Sequence, residues 1–344
     1  MTCERCEEYT EKGARYCPYC GSPLNGSAPY RDPYRRRRYG FIFIAGLVAA
    51  IQGLLIMFFE ITAAWAMMGK VLDYMAGRSL TLYYITPHLE DLVTVGDVGV
   101  MAIYVLFTIT VTACFALMIY QAYVRVRSKG GDLSALEDTA AYEVPVITGL
   151  FLGFELLGIL IFRATGGDAS GADGLEDGAR SAFTLMFASV YEEILCRLLL
   201  LGLPCLIIAL LLGRKDCPRW KYLFGGMKYE RWMIVFIVFS AAMFGMAHLD
   251  NWGSWKFVPT FLFGLVEGYL FVKYGLHATI AMHFINDYLD SSRWAYDTFA
   301  IFVLGILAVG FCALPYLVRY GSRIYARIKE DIALLKGTEV KEDE

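Results

Sequence analysis

The sequence predicts an all-α, polytopic membrane protein with about eight transmembrane helices. Three observations carry that expectation. Of the 344 residues, 57% are apolar and 19% are charged, and the mean hydropathy is +0.49; a soluble globular chain lies near about 45–50% apolar and about 25% charged. Apolar stretches of the length that crosses a bilayer, about 20 residues, recur along the chain. Lys and Arg, finally, are distributed unequally between successive connections. Together these exclude a water-soluble single domain, a disordered chain and a disulfide scaffold. The net charge of −3 says little, because the charges are unevenly placed.

The elements follow in chain order. Residues 1–24 carry Cys3-Glu-Arg-Cys6, ten intervening residues, then Cys17-Pro-Tyr-Cys20-Gly21. Two CxxC knuckles at this spacing wrap four thiolates, Cys3, Cys6, Cys17 and Cys20, round one Zn²⁺. Gly21 suits the positive φ that such a turn needs. So short a segment has almost no core, so the metal would supply its folding free energy. The expectation is a structural zinc ribbon, with a protein partner left open. Residues 25–39 read as a Pro/Gly/Ser-rich linker ending in Arg35 to Arg38. Four arginines abutting an apolar run are a positive-inside anchor to anionic headgroups, and no nucleic acid is expected as a partner.

Residues 40–320 form the expected transmembrane domain, with apolar runs at 41–67, 97–122, 144–162, 182–213, 232–248, 257–272, 276–290 and 298–318. The run 182–213 is too long for one upright helix and contains Pro204. It reads either as one tilted, kinked helix or as a spanning helix with a bent-back segment. Connections on the side of the N-terminus hold nineteen Lys and Arg, six of them between Arg214 and Arg231. The opposite side holds six: Lys70, Arg78, Arg163, Arg180, Lys256 and Arg293. Both termini are therefore expected in the cytosol, with residues 321–344 as a cytosolic tail. Cys114, Cys196, Cys205, Cys217 and Cys312 show no metal spacing and read as small buried hydrophobes.

Ionisable groups within apolar runs are costly and tend to mark function. The densest set is Tyr191-Glu192-Glu193-Ile194-Leu195-Cys196-Arg197. Glu193 and Arg197 share a helix face and suit an ion pair, whereas Glu192 is rotated by about 100° and left with no local counter-charge. His248 closes the fifth run. His283 and Asp287 share a face of the seventh, where the carboxylate can orient the imidazole, and Asn286 points partly the same way. Each of these groups needs a polar partner in hydrocarbon, and the cheapest partner is another of the set. Convergence of Glu192, His248 and His283 on one site is expected. His277 and His88 read as interfacial or surface groups, and Glu267 has no evident partner.

Glu192-Glu193-x-x-x-Arg197, Phe244-x-x-x-His248 and His283-x-x-x-Asp287, in this order on consecutive apolar segments, resemble the motifs of the CPBP (Abi, CAAX protease) intramembrane proteases. This is the family of the Ras-converting CAAX endopeptidase. The resemblance covers about residues 144–290. Phe263-Gly264-x-x-x-Gly268-Tyr269 is also similar, and small residues four apart permit close helix contact. The family implies a helical membrane core with a polar cavity and peptide-bond hydrolysis. It implies Glu192 as the base that activates water and His248 as its assistant. His283 and residue 287 would bind the oxyanion or complete the cavity. The CAAX endopeptidases have Asn where this chain has Asp287; an ionised Asp cannot donate to an oxyanion, so Asp287 is expected to orient His283 or to be protonated.

A partly desolvated carboxylate can take a proton from water and pass it to the leaving amine, while imidazoles stabilise the oxyanion. Glu192, His248 and His283 also resemble a His₂Glu zinc set, so a metal-bound water is a second mechanism. The HExxH spacing is missing, and the glutamate-type mechanism without a catalytic metal is favoured. The sequence leaves two rivals open: a proton- or cation-coupled transporter, and a non-catalytic membrane scaffold or immunity protein of the same fold. A CAAX-type prenylated tail and a signal- or bacteriocin-like peptide are both possible substrates. The partners expected are thus a peptide or protein and the lipid bilayer.

Overall fold

The computed structural model describes residues 38–86, 88–167, 178–214, 217–296, 308–322 and 325. The four cysteines expected to form a zinc ribbon, most of the linker and most of the tail lie outside these residues. The chain divides into two compact units, Met1–Ile44 and Ala45–Glu344. Of the first, only residues 38–44 are described, and they are helical.

The apolar runs are helical throughout the described residues. They lie on α1 (Arg38–Met75), α2 (Asp97–Ser128), α3 (Ala140–Ala164), α4 (Gly178–Leu211), α5 (Met233–Ala247), α6 (Phe257–Lys273), α7 (Leu276–Tyr296) and α8 (308–322). Among the described residues six helical spans are long and apolar enough to cross a membrane: Gly40–Met75, Asp97–Ser128, Ala140–Ala164, Gly178–Leu211, Met233–Trp252, which extends α5, and Ser254–Lys273, which extends α6. The chain is an integral membrane protein of the all-α polytopic class. The seventh, α7, carries His277, His283, Asn286, Asp287 and Asp290, which lower its hydropathy.

Helix α4 resolves the ambiguity of the long fourth run. It is continuous, but its middle, Ile194–Gly202, is π-helical between the α segments Gly178–Glu193 and Leu203–Leu211. Pro204 sits at the start of the last segment, where its missing N–H costs least. The π segment begins directly after Glu193. Such segments are rare and frequently accompany functional sites.

Two further features position the site. Gly264 and Gly268 of α6 press against α5: a Cβ added at Gly264 would lie 2.8 Å from the Ala241 Cα, and one at Gly268 2.7 Å from Ile237 Cγ2. This close approach brings Glu267, the residue between them on the next face, to α4. Between α1 and α2, strands β1 (Leu80–Ile85) and β2 (Leu89–Val95) form an antiparallel hairpin. Its register runs from Leu80 opposite Val95 to Ile85 opposite Leu89, with a bulge that leaves Leu92 unpaired. His88 lies in its turn and accepts a bond at its carbonyl from the Thr86 N–H.

The opposite end of the bundle is clamped by carboxylates. Glu143 of α3 accepts from the Tyr269 and Tyr320 hydroxyls at 2.8 and 2.7 Å, and from Lys273 and Tyr274. Glu137 accepts from Arg319 at 3.0 Å. These bonds tie α3, α6 and α8 together and use the acceptors of Glu143 fully, so this end reads as structural.

Candidate active site

The site is built from α4, α5, α6 and α7, with the hairpin laid against it. On α4, the one-residue step from Glu193 to Glu192 separates two environments. Glu193 points inward and is fully buried with Arg197, one turn later, at an Nε–Oε2 distance of 3.4 Å. Arg197 also pairs with Glu267 of α6, itself fully buried. The guanidinium thus bridges two carboxylates, and its plane lies 4.7 Å from the ring centroid of Phe244. This places Glu267, for which the sequence offered no partner.

Glu192 faces the other way, where its side chain is 15% exposed. Its Oε2 lies 3.9 Å from His248 Nε2 and 3.8 Å from His283 Nε2. That oxygen accepts no hydrogen bond from the described residues. The other oxygen, Oε1, accepts from the Tyr83 hydroxyl at 3.2 Å. Glu192, His248, His283 and Asp287, widely separated in sequence, are therefore neighbours. Phe244 packs edge-on against both imidazoles, at centroid distances of 4.7 Å to His248 and 5.7 Å to His283.

The two histidines differ in hydrogen bonding. His248 Nδ1 lies 2.9 Å from the Phe244 carbonyl oxygen. A carbonyl only accepts, so Nδ1 carries the proton and a neutral ring keeps its lone pair at Nε2, toward Glu192. His283 is held on both sides: Nδ1 is 2.9 Å from Glu193 Oε1, and Nε2 is 3.2 Å from Asp287 Oδ2. Acceptors at both nitrogens suit a ring that donates from both, which is the imidazolium. Asn286 Nδ2 donates to Asp287 Oδ1 at 3.0 Å and fixes that carboxylate in turn.

Lys256 donates to Glu155 at 2.9 Å. His88, in the hairpin turn, meets Asp250 at 3.1 Å, two residues beyond His248. His277 meets Gln121 at 3.0 Å, away from the cluster. Tyr83 was not singled out in the sequence; its only signal is the alternation Leu80-Thr-Leu-Tyr-Tyr-Ile85, which reads as a short strand. Burial, followed by the Glu192 carboxylate, holds the Tyr83 phenol well above its ordinary pKa, so it stays a donor.

Among the described residues, one group of donors has the composition of a metal site: Glu193, Glu267 and His283 bring ligand atoms within 4.8 Å of one another. Arg197 already pairs with both of these carboxylates, so the position for a cation is taken by its guanidinium. Around Glu192, a metal shared with His248 and His283 would require His283 Nε2 to give up Asp287.

Residues 178–289 match the family model described as type II CAAX prenyl endopeptidase, Rce1-like. The matched stretch runs from the start of α4 into α7 and includes Glu192, Glu193, Arg197, His248, Glu267, His283 and Asp287. It supports the CPBP/CAAX protease family for this part of the chain. Tyr83 and its hairpin lie outside the match. No curated protein and no solved structure matches the chain.

Proposed function

We propose that this protein is an intramembrane endopeptidase in which Glu192 activates a water for attack on a peptide bond. The observation that carries this reading is the pairing of two bases across one gap. Glu192 Oε2 and the lone pair of His248 Nε2 face each other at 3.9 Å. A water between two acceptors has both protons directed to bases and a lone pair left for the carbonyl. His283, donating from both nitrogens, supplies positive charge beside the developing oxyanion. Glu192 then returns its proton to the leaving amine. Asp287 orients His283, the role its ionised carboxylate suits. Glu193, Arg197 and Glu267 hold α4 and α6 in place. The similarity of residues 178–289 to CAAX prenyl endopeptidases supports a peptide substrate, with a prenylated tail as one candidate. A cleavage screen of the purified chain against peptide libraries, read by mass spectrometry, tests this. Products that appear with wild type and vanish with Glu192→Gln support it. Turnover insensitive to the substitution, or abolished by a chelator in a chain lacking residues 1–24, would favour the rival mechanisms.

The excess of basic residues on one set of connections supports an orientation with both termini in the cytosol and the hairpin on the far side. An impermeant thiol reagent should label a single Cys at position 91 in intact cells. A Cys at position 221 should stay unlabelled until the membrane is opened. The reverse pattern would invert the orientation.

Residues 3–20 are proposed to hold one structural Zn²⁺ through Cys3, Cys6, Cys17 and Cys20. Metal analysis of the full-length protein should give one zinc per chain, lost on replacing Cys17 and Cys20 with Ser. Recovery of two stable disulfides from the same segment would end the proposal.

A further inference from the structure

The hairpin between α1 and α2 stands apart from the matched stretch, yet one of its side chains touches the proposed base. The Tyr83 hydroxyl donates to Glu192 Oε1 at 3.2 Å. Its backbone is fixed from the same helix, because the Tyr191 hydroxyl donates to the Tyr83 carbonyl at 2.7 Å. Its ring packs edge-on against Tyr191 and Phe187 of α4, with centroids at 5.3 and 6.4 Å. The hairpin turn is held separately by the contact between His88 and Asp250. The hairpin is thus anchored through Tyr83 on α4, which carries Glu192, and at its turn on Asp250, two residues beyond His248.

We infer that Tyr83 is a positioning residue for Glu192, and that the hairpin Leu80–Val95 is a working part of the active site. A carboxylate rotates freely about its last bond unless an oxygen is held. Tyr83 occupies Oε1 and leaves Oε2, which has no donor among the described residues, aimed between His248 Nε2 and His283 Nε2. The hydroxyl thereby selects which oxygen acts as the base. No helix of the matched stretch supplies this bond; a segment about 110 residues earlier in the chain does.

This inference rests on the reading of Glu192 as the base, and its test has two independent readouts. Tyr83→Phe keeps the ring contacts and removes only the donor. The full-length variant should melt at the wild-type temperature and keep KM within about twofold. Its kcat should fall about tenfold or more, as loss of a hydrogen bond to a charged group implies. By infrared spectroscopy, the Glu192 carboxylate band, identified as the one that Glu192→Gln deletes, should shift in Tyr83→Phe. An unshifted band, or an unchanged kcat with a shifted band, would overturn the positioning role. If wild type cleaves no peptide, the peptidase reading falls, and the band alone decides whether Tyr83 holds Glu192.

Discussion

Glu192→Gln is expected to reduce hydrolysis by about 10²–10⁴-fold while the protein folds and accumulates normally. The amide preserves the size of the side chain and can still accept from Tyr83 through its oxygen. It cannot take a proton from water, and its NH₂ would donate toward His248 Nε2, occupying the lone pair that the water needs. Both halves of the proposed base are disabled by one substitution. The corresponding loss of transition-state stabilisation is about 3–5 kcal/mol. His248→Ala should cost less, because Glu192 remains, and His283→Ala should combine a loss of rate with a loss of stability, because Glu193 and Asp287 both lean on its ring. The check is kcat for each purified variant beside its melting temperature. A Glu192→Gln protein that cleaves at the wild-type rate would remove the basis of the assignment.

Much of this architecture is legible in the sequence, because long apolar runs leave a chain few alternatives to membrane helices. The facing of Glu192 and Glu193 in different directions, about 100° apart, follows from helix geometry alone, as does the i,i+4 pairing of Glu193 with Arg197. Four features were not legible, each for a physical reason. The partner of Glu267 is a tertiary matter: its arginine lies 70 residues earlier, and only the packing of α6 on α5 at Gly264 and Gly268 brings it near. The π segment leaves no periodicity of its own, since Ile194–Gly202 is apolar on nearly every side. The hairpin is two short strands within a connection that also holds charged residues, so the alternation that would reveal it spans only 80–85 and 89–95. The tautomer of His248 and the charge of His283 were likewise out of reach, because they depend on which acceptors the fold brings to the ring nitrogens.

Arg197→Ala is expected to damage the fold rather than the chemistry. Arg197, Glu193 and Glu267 are all fully buried, and the guanidinium is the cation that both carboxylates share. Removing one member of a buried ionic set leaves charge without compensation, at a cost of about 3–5 kcal/mol. Here Glu267 loses the guanidinium it pairs with and Glu193 is left with His283, and the cavity left against Phe244 adds a packing loss. His283 would be drawn further onto Glu193, which moves its Nε2 relative to Glu192, so residual activity should fall as well. Arg197→Lys should recover little, because a single ammonium lacks the planar fork that reaches both carboxylates. The informative variant is Arg197→Met with Glu193→Gln and Glu267→Gln, which removes the buried charge entirely. If the ionic set is structural, that triple variant should be more stable than Arg197→Ala by melting temperature in detergent, although it carries more substitutions. Equal melting temperatures for wild type and Arg197→Ala would show that the buried cation contributes nothing to the fold, and packing on α5 would then hold α6, at Gly264 and Gly268, and α4, through the bond from the Ser240 hydroxyl to the Cys196 carbonyl.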